Sequence, residues 1–162
     1  MQILNDGGFI MAELKAGSKA PNFGLMDQDG KKVKLSDFKG KKLLLYFYPK
    51  ADTPGCTKQA CSVSASLKEL KKHGIEAVGI SPDLPEKQRK FDSKHKLGFL
   101  LLSDPDSKIA KAYGAWGEKS MYGKKYKGII RSAFLIDEKA TLLQVWYKVK
   151  PDDTVSKAMA FL

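Results

Sequence analysis

The stretch Lys42–Tyr48, KLLLYFY, decides the class of fold. It is a continuous apolar run bounded by polar residues, which predicts a strand that is buried on both faces of a sheet. A second run, Ile75–Ser81 (IEAVGIS), predicts the neighbouring strand. Between the two, apolar residues spaced three and four apart from Ala60 to Leu70 predict one helix with a basic last turn and a stop at Gly74. A strand, a helix and a strand in this order predict a right-handed βαβ unit.

The alternation of strands and helices continues on both sides of this unit. Before it, Phe23–Leu35 predicts two short strands joined by Asp29-Gly30, a dipeptide that is favoured in hairpin turns. The elements predicted after it are a helix from Pro85, a strand over 98–103, a helix over 106–113, a glycine- and lysine-rich loop over 114–128, strands over 129–136 and 142–148, and a helix from Asp152 whose apolar face is Val155, Ala158, Met159 and Leu162. We therefore expect an α/β protein with a central mixed β-sheet, flanking helices and an N-terminal β-hairpin.

The length and composition fit one domain. The chain has 162 residues, 43% of them hydrophobic, which suffices for one core but not for two. Residues 1–20 are polar and show no period, so we expect a flexible N-terminal lead-in before a single domain over 21–162; Met11 resembles a natural start. The chain lacks an apolar run near the roughly 18 residues of a membrane-spanning helix, and its first ten residues lack the basic start of a secretory signal. The sequence therefore predicts a cytoplasmic protein without a membrane partner.

The formal net charge of +11 makes nucleic acid one class of partner to consider. The lysines, however, are spread from Lys15 to Lys157, and Arg89 and Arg131 are the only arginines. The planar guanidinium is the preferred group for recognising phosphates and bases. We therefore expect a solvated lysine surface and no specific nucleic-acid partner.

Cys56 and Cys61 are the only cysteines in the chain. They are too few for the disulfide framework of a small secreted domain, so the pair fits either redox chemistry or two unrelated core residues. Cys56 ends the segment Tyr48–Cys56, YPKADTPGC, which joins the predicted strand to the predicted helix. A cysteine in the first turn of a helix lies beside unpaired N–H groups and the positive end of the helix dipole, which favour the reactive thiolate. This position favours redox chemistry.

The same segment resembles the active site of peroxiredoxins. Pro49, Thr53 and Cys56 reproduce the signature Pro-x-x-x-Thr-x-x-Cys. Residues 113–119 (YGAWGEK) and 128–137 (GIIRSAFLID) resemble segments of the subgroup named for bacterioferritin comigratory protein, also called peroxiredoxin Q. The resemblance covers the whole predicted domain. It implies a thioredoxin-like fold and a thiol-dependent peroxidase, without a cofactor or a metal, that reduces hydrogen peroxide and organic hydroperoxides in antioxidant defence.

The resemblance also implies a role for each of five residues. Cys56 becomes the peroxidatic nucleophile, Thr53 the hydroxyl that bonds the peroxide, and Pro49 the shield of the site. Arg131 polarises the sulfur and the peroxide oxygen, although from the residues alone a pairing of Arg131 with a structural carboxylate is equally reasonable. Cys61 resolves the Cys56 sulfenic acid as an intramolecular disulfide, which thioredoxin or a similar dithiol reduces. Because both cysteines belong to one chain, we expect a monomer.

Two other functions compete with this one. A thioredoxin-like thiol-disulfide oxidoreductase also places a cysteine at the start of a helix after a strand, but its usual spacing is Cys-x-x-Cys, whereas Thr57–Ala60 puts four residues between this pair. A lysine-rich nucleic-acid-associated protein is supported by the charge alone. His73 and His95 are too poorly accompanied to predict a metal site, so we expect both at the surface.

Overall fold

Strands and helices alternate along the chain in a computed structural model that describes residues 2–3, 9–10 and 13–162. The strands are β1 (Gln2–Ile3), β2 (Phe9–Ile10), β3 (Gly24–Met26), β4 (Lys32–Lys34), β5 (Lys42–Phe47), β6 (Ile75–Ser81), β7 (Leu100–Ser103), β8 (Trp116–Met121), β9 (Lys124–Ile129), β10 (Ser132–Ile136) and β11 (Leu142–Trp146). The α-helices are α1 (Pro54–Ala65), α2 (Leu67–Lys72), α3 (Pro85–His95), α4 (Lys108–Ala112) and α5 (Thr154–Phe161). Short 3-10 helices cover Leu35–Phe38 and Pro151–Asp153.

A seven-stranded sheet in the order β11-β10-β5-β6-β7-β3-β4 forms the centre of the fold. The strands β5, β6 and β7 are parallel neighbours, and the strands on both sides of them run antiparallel. This arrangement confirms the predicted central mixed sheet. The antiparallel pair β3–β4 confirms the predicted hairpin, and Gly30 in its turn has the positive φ of 79° that the dipeptide implied.

Both faces of the sheet are covered, as the unbroken apolar run at β5 predicted. Leu44 and Tyr46 belong to the core cluster that includes residues of α1, α2, α3 and α5. Leu45 and Phe47 belong to the cluster on the opposite face, which includes residues of α4. All four side chains are completely buried. The sheet thus supports the start of α1, which follows β5 after a short loop.

The segment predicted as one helix before Gly74 is two helices, so that prediction is wrong in one respect. At Ser66 (φ −105°, ψ 4°) the N–H bonds to the Val63 carbonyl oxygen at 3.0 Å, three residues back instead of four. Ser64, in the preceding turn, donates its hydroxyl to the Leu97 carbonyl oxygen at 2.6 Å. The regular helical bonding is therefore interrupted at Ser66, which separates α1 from α2.

Residues 114–128 do not form the predicted loop, because most of them belong to the antiparallel hairpin β8–β9. Its turn is Tyr122-Gly123, and both residues have positive φ, 51° and 77°. Positive φ at both turn positions is the geometry of the type I′ turn that closes two-residue hairpins. The hairpin forms a small sheet apart from the central one.

The strand predicted over 129–136 is interrupted at Ile130 and Arg131. The Ile130 N–H donates to the Ala115 carbonyl oxygen and the Arg131 carbonyl oxygen accepts the Val149 N–H, each at 2.9 Å. These bonds lie between β9, which pairs with β8, and β10, which pairs with β5. Arg131 therefore lies in a link between two strands, not within a strand as expected.

The residues just before the predicted domain form backbone hydrogen bonds with the chain at the start of β11. Residues 17–20 lie beside Ala140–Leu142, where Gly17 N–H donates to the Leu142 carbonyl oxygen and Ala20 N–H to the Ala140 carbonyl oxygen, both at 2.8 Å. The division of the chain at residue 21 stays a prediction, and residues 1, 4–8 and 11–12, with the suggested start at Met11, lie outside the described residues.

The C-terminal helix α5 begins close to the predicted position. Val155 and Ala158 are buried and Met159 packs against the core, but Leu162 lies beyond the helix and is 43% exposed. The predicted apolar face is therefore wrong at Leu162, because the helix ends before the chain does. None of the described helices is sufficiently long and apolar to cross a membrane.

Candidate active site

Cys56 is the third residue of α1, and only 1% of its surface is exposed. The local sequence explains why the helix starts here. Thr53 has extended backbone angles, Pro54 takes the first helical position, and Thr57 N–H donates to the Thr53 carbonyl oxygen at 2.8 Å. Proline is favourable at this position because the first N–H groups of a helix have no partner within it. Cys56 thus lies in the first helical turn, where the sequence predicts it.

Arg131 brings its guanidinium to the sulfur of Cys56. The Nη2 atom lies 3.5 Å from Cys56 Sγ, and Nη1 donates a hydrogen bond of 2.6 Å to Gln59 Oε1. Gln59 donates in turn to Thr154 Oγ1 at 2.7 Å. Within residues 13–162, no carboxylate lies at ion-pair distance from Arg131. One arm of the guanidinium therefore faces the sulfur while a neutral amide fixes the other.

Gln59 is a site residue that the sequence analysis does not identify. Its side chain is completely buried one turn after Cys56, and its amide is bonded by both Arg131 and Thr154. A glutamine within a helix gives no signal of its own. The spacing of three residues from Cys56, which places both side chains on one helix face, is the signal that could have identified it.

Thr53 and Pro49 lie in the loop between β5 and α1. Thr53 donates its hydroxyl hydrogen to the Lys50 carbonyl oxygen at 2.8 Å. Pro49 is half-buried directly after Tyr48. Both residues precede Cys56 by only a few positions in the chain, and the roles implied for them stay predictions.

The loop between β5 and α1 is fixed to α3 and to the end of β6. Asp52, whose φ is +61°, pairs with His95 Nε2 at 3.0 Å and with Lys94 Nζ at 2.9 Å. The hydrogen bonds from His95 and Lys94 lower the pKa of the Asp52 carboxyl below its usual value. Ala51 N–H donates to Asp83 Oδ2 at 2.7 Å. The loop that precedes the nucleophile is thus held at two consecutive residues.

The surroundings of the guanidinium are tight and positively charged. A Cβ atom on Gly55 would lie only 3.2 Å from Arg131 Nη2, so glycine leaves room for the arginine at this position. Burial lowers the pKa of Lys119 on β8, and the positive charge of Arg131 lowers it further. The charge of Arg131 thus lies directly beside the Cys56 sulfur.

Cys61 lies on α1 as well, five positions after Cys56, and both are free thiols. Cys56 is buried against the sheet, whereas Cys61 is exposed. No disulfide joins the two residues in the structure. Their pairing as a disulfide stays a prediction, and it requires a change in α1.

The two histidines each face a single carboxylate. His73 lies 3.7 Å from Glu69, and His95 lies 3.0 Å from Asp52. The described residues include no group of three or more histidine, cysteine, aspartate or glutamate side chains that could hold a metal ion. One carboxylate beside one imidazole does not make a metal site.

The part of the chain that contains both Cys56 and Arg131 matches the model of a known protein family. Residues 16–145 match the model of the AhpC/TSA family. This chain belongs to the AhpC/TSA family. Its fold is therefore the thioredoxin-like fold of peroxiredoxins, and the protein is a thiol-dependent peroxidase.

Individual relatives define the subgroup. Peroxiredoxin Bcp of Escherichia coli K12 is 55% identical over 127 residues, which cover 78% of this chain and 81% of the relative. A solved structure of peroxiredoxin Q from Xanthomonas campestris is 35% identical, with a TM-score of 0.81 over 86% of this chain and 88% of the other.

A second structure from Xanthomonas campestris, described as bacterioferritin comigratory protein, has the same coverage and TM-score at 34% identity. It was studied as a trapped intermediate/ligand complex that bears on alkyl peroxide reduction by that protein. Together these relatives confirm the resemblance to the bacterioferritin comigratory protein, or peroxiredoxin Q, subgroup. They favour a peroxidase over a thioredoxin-like reductase and over a nucleic-acid-associated protein.

Proposed function

We propose that Cys56 is the nucleophile of this peroxidase and that Arg131 stabilises the charge of the reaction. The observation that carries the proposal is the contact of 3.5 Å between Arg131 Nη2 and the buried Cys56 sulfur at the start of α1. The Cys56 thiolate attacks the terminal oxygen of a hydroperoxide and the O–O bond breaks. The departing oxygen takes a proton and leaves as an alcohol or water, while the sulfur is oxidised to sulfenic acid. The guanidinium lowers the barrier because it faces the negative charge that develops on the oxygens.

Thr53 assists by accepting a hydrogen bond from the peroxide. Its hydroxyl hydrogen is already committed to the Lys50 carbonyl oxygen, at 2.8 Å. The lone pairs of Thr53 Oγ1 are therefore its free bonding capacity, and they suit the O–H of a hydroperoxide. Pro49, in the same loop, shields the sulfur from bulk water.

Cys61 resolves the sulfenic acid. Its thiolate attacks the Cys56 sulfur, the hydroxyl of the sulfenic acid takes a proton and leaves as water, and an intramolecular disulfide forms. Thioredoxin or a similar dithiol then reduces that disulfide. The exposure of Cys61 supports this step, since the reductant must reach one sulfur of the pair. A chain that carries both cysteines works as a monomer, and the cytoplasm, where such reductants are kept reduced, is the proposed compartment.

The proposed substrates are hydrogen peroxide and organic hydroperoxides. The Xanthomonas campestris relative, described in connection with its alkyl peroxide reduction activity, supports the organic class.

The test is peroxide consumption by the purified protein with thioredoxin, thioredoxin reductase and NADPH. Cys56→Ser should show no turnover, because a serine hydroxyl is not ionised near neutral pH and is a poor nucleophile. Cys61→Ser should complete one round of reduction and then accumulate sulfinic acid at Cys56, detected by mass spectrometry. Turnover by Cys56→Ser would contradict the nucleophile, and normal recycling by Cys61→Ser would contradict the resolving residue.

A further inference from the structure

A chain of hydrogen bonds runs from the core into the loop between β5 and α1. Tyr48, directly after β5, donates to Gln88 Oε1 at 2.5 Å, and Gln88 Nε2 donates to Ser81 Oγ at 2.8 Å. Ser81 Oγ donates to Asp83 Oδ2 at 2.8 Å, and the same oxygen accepts the Ala51 N–H at 2.7 Å. The chain of bonds thus starts just before the loop and returns to its backbone three residues later.

The inner members of this chain are buried and bonded. Tyr48 and Gln88 are completely buried, and Ser81 is 1% exposed. Gln88 Nε2 also donates to the Leu102 carbonyl oxygen at 3.0 Å, which anchors the amide to β7. Burial raises the pKa of Tyr48 far above its usual value, so its hydroxyl remains a donor. A buried network in which each group has a partner favours one arrangement, and Asp83 is its outermost member.

Asp83 holds the peptide unit that also holds Thr53. The Ala51 N–H and the Lys50 carbonyl belong to one planar peptide. The N–H of this peptide donates to Asp83 Oδ2 at 2.7 Å, and the carbonyl oxygen of the same peptide accepts the Thr53 hydroxyl at 2.8 Å. Because the two groups are rigidly connected, a rotation of the peptide that breaks one bond also misdirects the other.

We propose that Asp83 is a positioning residue for the reaction with peroxide. It fixes the Lys50–Ala51 peptide, and through that peptide it orients the Thr53 hydroxyl toward the peroxide at Cys56. The inference rests on the roles proposed above for Cys56 and Thr53, and it extends the site to a carboxylate after β6 that does not touch the substrate.

Two substitutions at one position separate geometry from charge. Asp83→Ala removes the acceptor, and we expect oxidation of Cys56 by peroxide to slow about tenfold to a hundredfold, the scale seen when a positioning contact is lost. Both bonds to Asp83 use the single oxygen Oδ2, which the amide oxygen of Asp83→Asn can replace. We therefore expect Asp83→Asn to stay within about threefold of the wild-type rate.

A double-mutant cycle tests whether Asp83 acts through Thr53. In a Thr53→Val background there is no hydroxyl to orient, so adding Asp83→Ala should slow Cys56 oxidation by less than about twofold. A purely structural role for Asp83 predicts the same slowing in both backgrounds. Stopped-flow tryptophan fluorescence, at a temperature where circular dichroism shows every variant folded, gives the rates.

Asp137→Ala is the matched control for loss of an aspartate that holds backbone N–H groups. Asp137 Oδ1 accepts the N–H of Lys139 at 2.8 Å and of Thr141 at 2.9 Å, in the turn between β10 and β11. We expect this variant to melt at a lower temperature and to keep the wild-type rate of Cys56 oxidation. A slowed Asp137→Ala would attribute the Asp83 effect to general destabilisation and overturn the proposal.

The remaining outcomes also decide the matter. An Asp83→Ala rate equal to wild type, an Asp83→Asn rate as low as that of Asp83→Ala, or equal slowing in both Thr53 backgrounds overturns the proposal. If Asp83→Ala does not fold, Ser81→Ala is the substitute, because it removes the second hydrogen bond to Asp83 Oδ2. This variant should slow Cys56 oxidation in the Thr53 protein and not in the Thr53→Val protein. An unchanged rate in Ser81→Ala would overturn the proposal. If peroxide does not oxidise Cys56 in the wild-type enzyme, the proposed function itself is contradicted. That result is distinct from those above, which concern Asp83 alone.

Discussion

Arg131 uses two directions of its planar guanidinium at once. Nη2 faces the Cys56 sulfur at 3.5 Å, while Nη1 is held by Gln59 at 2.6 Å. A group of fixed shape that is held at one end presents its other end at a fixed position. The neutral amide of Gln59 holds the arginine without cancelling its charge, as a carboxylate partner would.

Arg131→Lys should slow oxidation of Cys56 by about tenfold to a thousandfold, because an ammonium cannot bond Gln59 and face the sulfur together. Stopped-flow measurement of sulfenic acid formation gives the rate. Arg89→Lys is the control, since Arg89, the other arginine, donates to the Gln28 carbonyl oxygen at 3.1 Å and should be replaceable. A wild-type rate in Arg131→Lys would exclude the proposed role of the guanidinium.

At the scale of single elements, α1 carries both cysteines in a regular helix over Pro54–Ala65. Five residues of helix give a rise of about 7.5 Å and a rotation of about 140°, which separates the Cα atoms of Cys56 and Cys61 by about 8.7 Å. A disulfide tolerates no more than about 7 Å between Cα atoms. The disulfide therefore requires that the first turns of α1 unwind.

Oxidation should lower the protection of backbone amides from hydrogen exchange over roughly Cys56 to Ser66, and it should reduce the helical circular dichroism signal. The comparison is between the dithiol and disulfide forms, with the bond verified by mass. Cys61→Ser, treated with the same peroxide, is the control because it cannot form the intramolecular bond. Equal exchange in the two forms would contradict the unwinding of α1.

The tie between Asp52 and α3 should appear in the pH dependence of stability. His95 and Lys94 lower the pKa of Asp52 in the folded protein. The ionised carboxylate therefore stabilises the fold fully at a pH above the ordinary pKa near 3.8, and this stabilisation is lost as the pH falls through the lower pKa of the folded state. Asp52→Asn keeps a residue type that tolerates the φ of +61° and removes the charge. Urea unfolding should show wild type more stable than Asp52→Asn near pH 5, with the difference shrinking toward pH 2. A difference that grows on acidification would contradict this coupling.

The sequence predicts those elements whose residues are buried in a regular pattern. β5 is an unbroken apolar run after Lys42, and most residues of β6 are apolar, so the sequence predicts both strands almost to the residue. The hairpin β8–β9 was missed because Lys124, Lys125 and most of their neighbours are exposed, which leaves no alternation of apolar and polar residues to detect.

The same limit applies to the site. Cys56 was predicted from a local motif, whereas Gln59 and Asp83 are defined by partners distant in the sequence. A residue that acts through a contact with another element carries no sign of that contact in its own neighbours. For Gln59, the spacing of three residues from Cys56 is the one feature of the sequence that indicates a place in the site. The sequence around Asp83 has no such feature.

At the scale of the whole molecule, the charge of +11 is carried mainly by lysine. Duplex DNA should therefore bind weakly and through counterion release alone, so that the affinity falls steeply with salt. Fluorescence anisotropy with a short duplex, titrated at about 50 and 200 mM salt, should show binding at the lower concentration only. Tight binding that persists at the higher concentration would restore a nucleic-acid partner.

Residues 17–20 protect one edge of the central sheet against association with other copies of the protein. It occupies the backbone groups of Ala140–Leu142 at the start of β11, which is an edge strand of the central sheet. Bare edges are templates on which other chains add strands and aggregate. The opposite edge, β4, is short and carries exposed Lys32 and Lys34, which discourage such addition by charge. A chain trimmed to residues 21–162 would keep every residue of the active site and yet leave the start of β11 open to aggregation.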